Sequence, residues 1–136
     1  MPPKARKTTE LFIMTPNTLG SLTKVTNPLS KNGVNIEGYC AYEWGNEAAY
    51  RIITDDNAKA RTVLAKEGFA VEENPTVLWE INNKPGFLKK ATEALSTNNV
   101  NIFCSYCTTM VGGKKTATAF TTNDPDKTIA VLTSLK

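Results

Sequence analysis

Histidine is absent from this chain of 136 residues, and no other gap in its composition excludes more. Without it there is no Ser-His or Cys-His nucleophile pair, no imidazole general base and no histidine-ligated zinc. Cysteine is scarce, at three residues, and the N-terminal Met1-Pro2-Pro3-Lys4-Ala5-Arg6-Lys7 lacks the apolar core of a secretory signal. Together these point to a reduced, cytoplasmic protein. Long apolar runs are missing as well. The longest span four residues, as in Leu11-Phe12-Ile13-Met14, against the roughly 18 residues needed to cross a bilayer. An excess of one charge is also missing beyond the N-terminus. The net charge of +3 is supplied by Lys4, Arg6 and Lys7, and from Thr8 onward acidic and basic residues balance. A neutral body gives no electrostatic reason to expect nucleic acid or an anionic membrane as a partner.

What is present is an ordinary globular composition, 40% hydrophobic and 21% charged. Within it the chain repeats itself. Gly20-Ser21-Leu22 recurs as Gly86-Phe87-Leu88, Leu29 as Leu95, and Val34-Asn35-Ile36 as Val100-Asn101-Ile102, all at one offset. Asn17 falls on Asn83 by the same shift, and Leu11-Phe12-Ile13 lies over Val77-Leu78-Trp79.

Each repeat reads alike. Segments 9–14 and 76–81 are rich in β-branched and aromatic residues and read as buried strands, with Phe12 and Trp79 expected in the core. Leu22, Val25 and Leu29, and then Leu88, Ala91 and Leu95, recur at helical spacing. Gly33 and Asn98-Asn99 end those helices, and Pro28 is expected to kink the first. Hairpins follow over 35–53 and 101–121, turning at Trp44-Gly45-Asn46-Glu47 and Gly112-Gly113. Asp55-Asp56 and Asp124-Pro125-Asp126 then read as N-caps of a second helix in each repeat. In the first repeat Gly68 stops that helix and Phe69-Ala70-Val71 reads as a closing strand. In the second, too little chain remains after Leu132 for one, so the strand is dispensable or another segment supplies it. The expected fold class is α+β: two tandem βαββαβ units of the ferredoxin-like type, each an antiparallel sheet with helices on one face. The boundaries read as a disordered basic tail over 1–8, one domain over 9–73 and a second over 74–136.

This architecture serves unrelated functions. RNA-recognition modules need aromatics on the two middle strands and a basic surface, neither of which is evident here. Metal chaperones of this fold carry Cys-x-x-Cys in the first loop. Here Cys104-Ser105-Tyr106-Cys107 lies within a strand, where residues three apart face opposite sides. Cys40, Cys104 and Cys107 therefore read as small packing residues, with no metal and no cofactor implied. Glu37, Glu43 and Glu80 share no site that spacing defends, and Lys89-Lys90 and Lys114-Lys115 read as solvated surface.

The loop between first strand and first helix, with the strand beyond it, resembles the ACT family, small regulatory domains that bind amino acids. The residues concerned are Asn17-Thr18-Leu19-Gly20-Ser21-Leu22 with Gly33-Val34-Asn35-Ile36, and Asn83-Lys84-Pro85-Gly86-Phe87-Leu88 with Asn99-Val100-Asn101-Ile102. The family pattern is Pro-Gly-x-Leu followed by Gly-Val-Asn-Ile. The second repeat keeps Pro85-Gly86 and the first keeps Gly33. The likeness is nearest to free-standing tandem ACT proteins, which carry no enzyme.

The resemblance implies a ligand held between paired domains, with Asn17 meeting Asn101 and Asn83 meeting Asn35. At such a site Gly20 and Gly86 let backbone approach the ligand, and the helix N-termini beyond them favour a carboxylate. The asparagines recognise a zwitterion without burying an unpaired charge. Leu19, Ile36, Pro85 and Ile102 would supply hydrophobic specificity. The expected protein is a non-catalytic amino-acid-binding regulator, forming a homodimer through an exposed sheet edge. The alternative is a ligand-free oligomerisation or adaptor module in which these asparagines serve only their loops.

Overall fold

The computed structural model describes residues 4–135. In chain order the elements are β1 (Lys4–Pro16), α1 (Ser21–Lys31), β2 (Ile36–Trp44), β3 (Glu47–Thr54) and α2 (Asn57–Lys66), then β4 (Glu72–Asn82), α3 (Phe87–Thr97), β5 (Ile102–Thr108), β6 (Lys115–Thr122) and α4 (Pro125–Thr133). They form two compact units. One comprises residues 9–74, and the other residues 75–135 together with 4–8.

In the first unit β3 lies between β2 and β1 and is antiparallel to both, so β1 and β2 run parallel. Alternation along the strands sends Leu11, Ile13, Ala48, Tyr50 and Ile52 to one face, where they pack against Val25 and Leu29 of α1 and Ala60 and Leu64 of α2. In the second unit β6 lies between β4 and β5, again antiparallel to both. Val77, Trp79, Ile81 and Phe120 meet Ala91 and Leu95 of α3 and Val131 and Leu132 of α4. Trp79 is the largest fully buried side chain, its ring centroid 6.3 Å from Phe87 and 6.2 Å from Phe120.

The helix ends follow their local chemistry. Asp56 and Asp124 accept from the N–H groups of Lys59 and Lys127, each at 3.0 Å, capping α2 and α4. Gly33 and Asn99 take left-handed conformations after α1 and α3 (φ 70 and 60), and the next N–H, of Val34 and Val100, reaches back to Leu29 and Leu95. Pro28 lies inside α1, buried, and the helix continues through it to Lys31.

Three expectations are corrected. Residues 4–8, expected as a disordered tail, are the first five residues of β1, and Ala5 packs against the core of the second unit. This strand end occupies the place left open by the missing last strand of the second repeat. Residues 69–71 are not a strand. They connect α2 to β4, with Phe69 and Val71 partly buried on the first core, and the strand begins at Glu72. Phe12 is not a core residue, because Leu11 and Ile13 hold the inward positions of β1. Phe12 sits on the helix-free face, opposite Arg51 of β3.

On that face Glu10 is fully buried and Arg51 partly buried. The Arg51 guanidinium donates to the Glu10 carboxylate at 2.7 Å and to the Tyr42 hydroxyl at 3.1 Å, and lies 4.8 Å from the Phe12 ring centre. Asn74, contributed by β4, donates to the same carboxylate oxygen at 3.4 Å.

Arg51→Met removes the 2.7 Å ion pair of the buried Glu10 carboxylate and should lower stability by about 3 kcal/mol in urea titration. A chain beginning at Thr9 should lose about 2 kcal/mol. By hydrogen exchange, protection should fall in β4, β5 and β6 while β2 and β3 keep theirs.

Candidate functional site

Each unit builds the same corner where its first strand passes into its first helix. Gly20 and Gly86 sit at the N-cap positions of α1 and α3 with φ 82 and 91, a conformation that costs an L-residue about 1–2 kcal/mol. Neither helix has a side-chain cap and neither first turn holds an acidic residue. The N–H groups of Ser21 and Phe87 donate to the loop carbonyls of Thr18 and Lys84 at 3.1 and 3.4 Å, and those of the next two residues have no intrahelical acceptor. Lys24 in α1 and Lys89 and Lys90 in α3 place positive charge at the same ends, where the helix dipole disfavours it.

Asn17 and Asn83 tie each loop to the tip of the neighbouring hairpin. The Asn17 N–H donates to the Asn46 carbonyl at 2.9 Å and its side-chain amide to the Glu43 carboxylate at 2.7 Å. The Asn83 N–H donates to the Lys114 carbonyl at 2.8 Å and its side-chain amide to the Gly113 carbonyl at 3.0 Å. In both cases the NH₂ end is engaged, and Oδ1 is the acceptor that remains. Beneath the first corner the hydroxyls of Ser21 and Tyr50 are hydrogen-bonded in the interior. Beneath the second, Phe87 replaces the serine and stacks against Trp79.

A model of the ACT domain pair matches residues 7–136. The chain belongs to the ACT family. Its fold is also that of a protein from Bacteroides thetaiotaomicron, 30% identical over 94% of this chain and 88% of that one, with a TM-score of 0.86. The regulatory subunits of aspartate kinase from Thermus thermophilus and Thermus flavus share the fold at 13% and 15% identity. They cover 97% of this chain and 95% and 92% of theirs, at TM-scores of 0.68 and 0.64. Among curated proteins, none matches.

Within each ACT unit the expected ligand residues fall into two groups. Asn17, Leu19 and Gly20, and likewise Asn83, Pro85 and Gly86, gather at the loop–helix corner, all exposed, with Leu19 wholly in solvent. Asn35 and Ile36, and Asn101 and Ile102, lie at the other end of the sheet, because β2 starts at the end of the sheet where β1 starts, while Asn17 follows the end of β1. No single unit brings its two asparagines together. Ile36 and Ile102 are half-buried against their own cores. In the first unit Asn35 and Ile36 line an open groove of about 450 Å³ with Thr26, Ser30 and Gly33.

The residues that hold these groups in place were not evident from the repeat. The N–H of Asn35 donates to the Asp55 carboxylate at 2.9 Å, and that of Asn101 to the Asn123 side chain at 2.8 Å. The N–H groups of Asp55 and Asn123 return to the carbonyls of Asn35 and Asn101. An acidic or amide residue just after each return strand was the available sequence clue.

Cys104 and Cys107 pair with Thr121 and Thr118 in the β5–β6 register, three residues apart and so on opposite faces. Among the described residues no three Cys, Asp or Glu side chains gather as a metal would need, and no helix is long and apolar enough to cross a membrane.

Nothing lies within 4 Å of a Cβ built on Gly20. Gly20→Ala should therefore cost about 1 kcal/mol through its backbone alone. Gly38→Ala, equally unobstructed and without a left-handed φ, should leave the urea midpoint unchanged or slightly raised.

Proposed function

We propose that this protein is a non-catalytic regulator that senses a free α-amino acid through its ACT domains. The observation that carries the reading is the corner itself, built twice. Each has a left-handed glycine, an uncapped helix N-terminus with at least one lysine near it and no acid in its first turn, and an asparagine anchored beside it. A carboxylate at Gly20 or Gly86 meets the N–H groups of the second and third helical residues, the positive end of the helix dipole and a nearby ammonium. The contrast with α2 and α4 supports the same conclusion, since Asp56 and Asp124 already occupy those N-termini.

The ligand's ammonium goes to the side-chain carbonyl of Asn17 or Asn83, whose NH₂ is held by the hairpin. Leu19 and Pro85, exposed in the loops, cover its side chain. Asn35 with Ile36, or Asn101 with Ile102, of another ACT domain in a homodimer completes the site; the separation of these residues from the corner within a unit supports this arrangement. Likeness to regulatory subunits of aspartate kinase supports a role in which ligand binding changes the association of domains. The working place is the cytoplasm, without nucleic acid, membrane or cofactor.

A thermal-shift screen of the twenty amino acids tests this. One of them, at a hundred times its Kd, should add about 2.7 kcal/mol of stability. Asn17→Ala with Asn83→Ala should remove that gain and leave the fold intact. No gain with any amino acid favours the ligand-free adaptor reading, and undiminished affinity in the double variant places the site elsewhere.

A further inference from the structure

The helix-free faces of the two units differ at one equivalent spot. In the first unit Ala49 of β3 pairs with Met14 of β1 and Tyr42 of β2, and it is 1% exposed. Two residues nearer the hairpin tip, Glu47 pairs with Trp44, whose ring meets Tyr42 edge-on with centroids 6.5 Å apart. The large side chains close over the alanine.

The register-equivalent residue of the second unit is Ala117, which pairs with Glu80 of β4 and Thr108 of β5. Ala117 is exposed. Glu80 and Thr108 stand where the first unit has Met14 and Tyr42, and Lys115 stands where it has Glu47. The result is an open recess of about 570 Å³ with Ala117 as floor and Glu80, Thr108, Met110, Lys115 and Thr116 around it.

Its rim is tied down. The Thr116 hydroxyl donates to the Thr108 carbonyl and the Thr109 hydroxyl to the Lys115 carbonyl, both at 3.0 Å. Lys115 is the diagonal neighbour of Glu80, about 7–8 Å away by sheet geometry. Neither takes part in the ion pairs found among the described residues. The recess thus presents a carboxylate and an ammonium near one another, with an apolar floor and the Met110 thioether beside them.

We propose that this recess is a second small-molecule site, distinct from the loop–helix corners, and that it takes an α-amino acid with an aliphatic side chain. Glu80 accepts from the ligand ammonium and Lys115 donates to its carboxylate. The aliphatic group covers Ala117 against Met110. The first unit has no such site because Met14 and Tyr42 flank its alanine and its two-residue hairpin turn lacks the loop that supplies Met110 and Gly113.

The test is a titration of the ¹⁵N-labelled full chain with L-leucine. Amide shifts should saturate at Glu80, Thr108, Lys115 and Ala117. 4-Methylpentanoate, which lacks the ammonium, should bind there at least about tenfold more weakly. Glu80→Met with Thr108→Tyr gives the second unit the filling of the first and should abolish the shifts. Lys115→Gln, a milder surface change, should weaken binding about tenfold with the spectrum otherwise unaltered. Shifts confined to residues 17–22 and 83–88 overturn this inference while sustaining the corner reading, and shifts confined to the recess sustain this inference and leave the corner to the screen of all twenty amino acids. L-Leucine affinity at the recess unchanged by Lys115→Gln also overturns it.

Discussion

The core of the second unit is closed by a strand end from the start of the sequence, and the rest of the structure depends on that contribution. A unit of some sixty residues buries only a modest fraction of its surface and is marginal by itself. β1 is thirteen residues long, about twice the usual strand. Its first five residues serve the second unit, where Ala5 joins the core around Trp79, and the remainder carries Leu11 and Ile13 into the first. β4 does the converse, with Glu72–Asn74 belonging to the first unit and Asn74 reaching the buried Glu10 carboxylate.

With the sheets fixed, the corners acquire their character from what they omit. Two helices of each unit start within a few residues of a strand end, yet only one is capped by a side chain. Asp56 and Asp124 satisfy the N–H groups of α2 and α4, whereas Gly20 and Gly86 bring no side chain at all. A left-handed glycine turns the chain sharply and leaves the helix end open, a combination any capping residue would cancel. The hairpin tips then hold Asn17 and Asn83 by their amide NH₂ groups. The repeated loop is therefore positioned by tertiary contacts rather than by its own turn alone.

The recess over Ala117 shows the same economy in reverse. One backbone register, occupied by Met14, Tyr42 and Trp44 in the first unit, gives a filled surface. Occupied by Glu80, Thr108 and Lys115 in the second, it gives an open one. Strand register and alanine are common to both, while the surrounding side chains and the length of the hairpin loop, two residues after β2 and six after β5, differ.

The repeat, the alternation of Leu11 and Ile13 or Val77 and Trp79, and the caps at Asp56, Asp124, Gly33 and Asn99 were all legible in the sequence. Each depends on residues within a turn or a strand of one another, where side-chain type dictates conformation directly. What the sequence could not convey depended on partners far along the chain. Residues 4–8 look like a basic tail until a sheet edge in the other half of the sequence gives their backbone somewhere to bond. Phe12 looks like core until the inward positions are seen to be taken. Glu43, Gly113, Asp55 and Asn123 acquire roles only when hairpin and loop meet. Local chemistry decided which segments are strands and helices. The tertiary structure decided which strand ends complete which core, because an extended backbone carries unpaired donors and acceptors but no address.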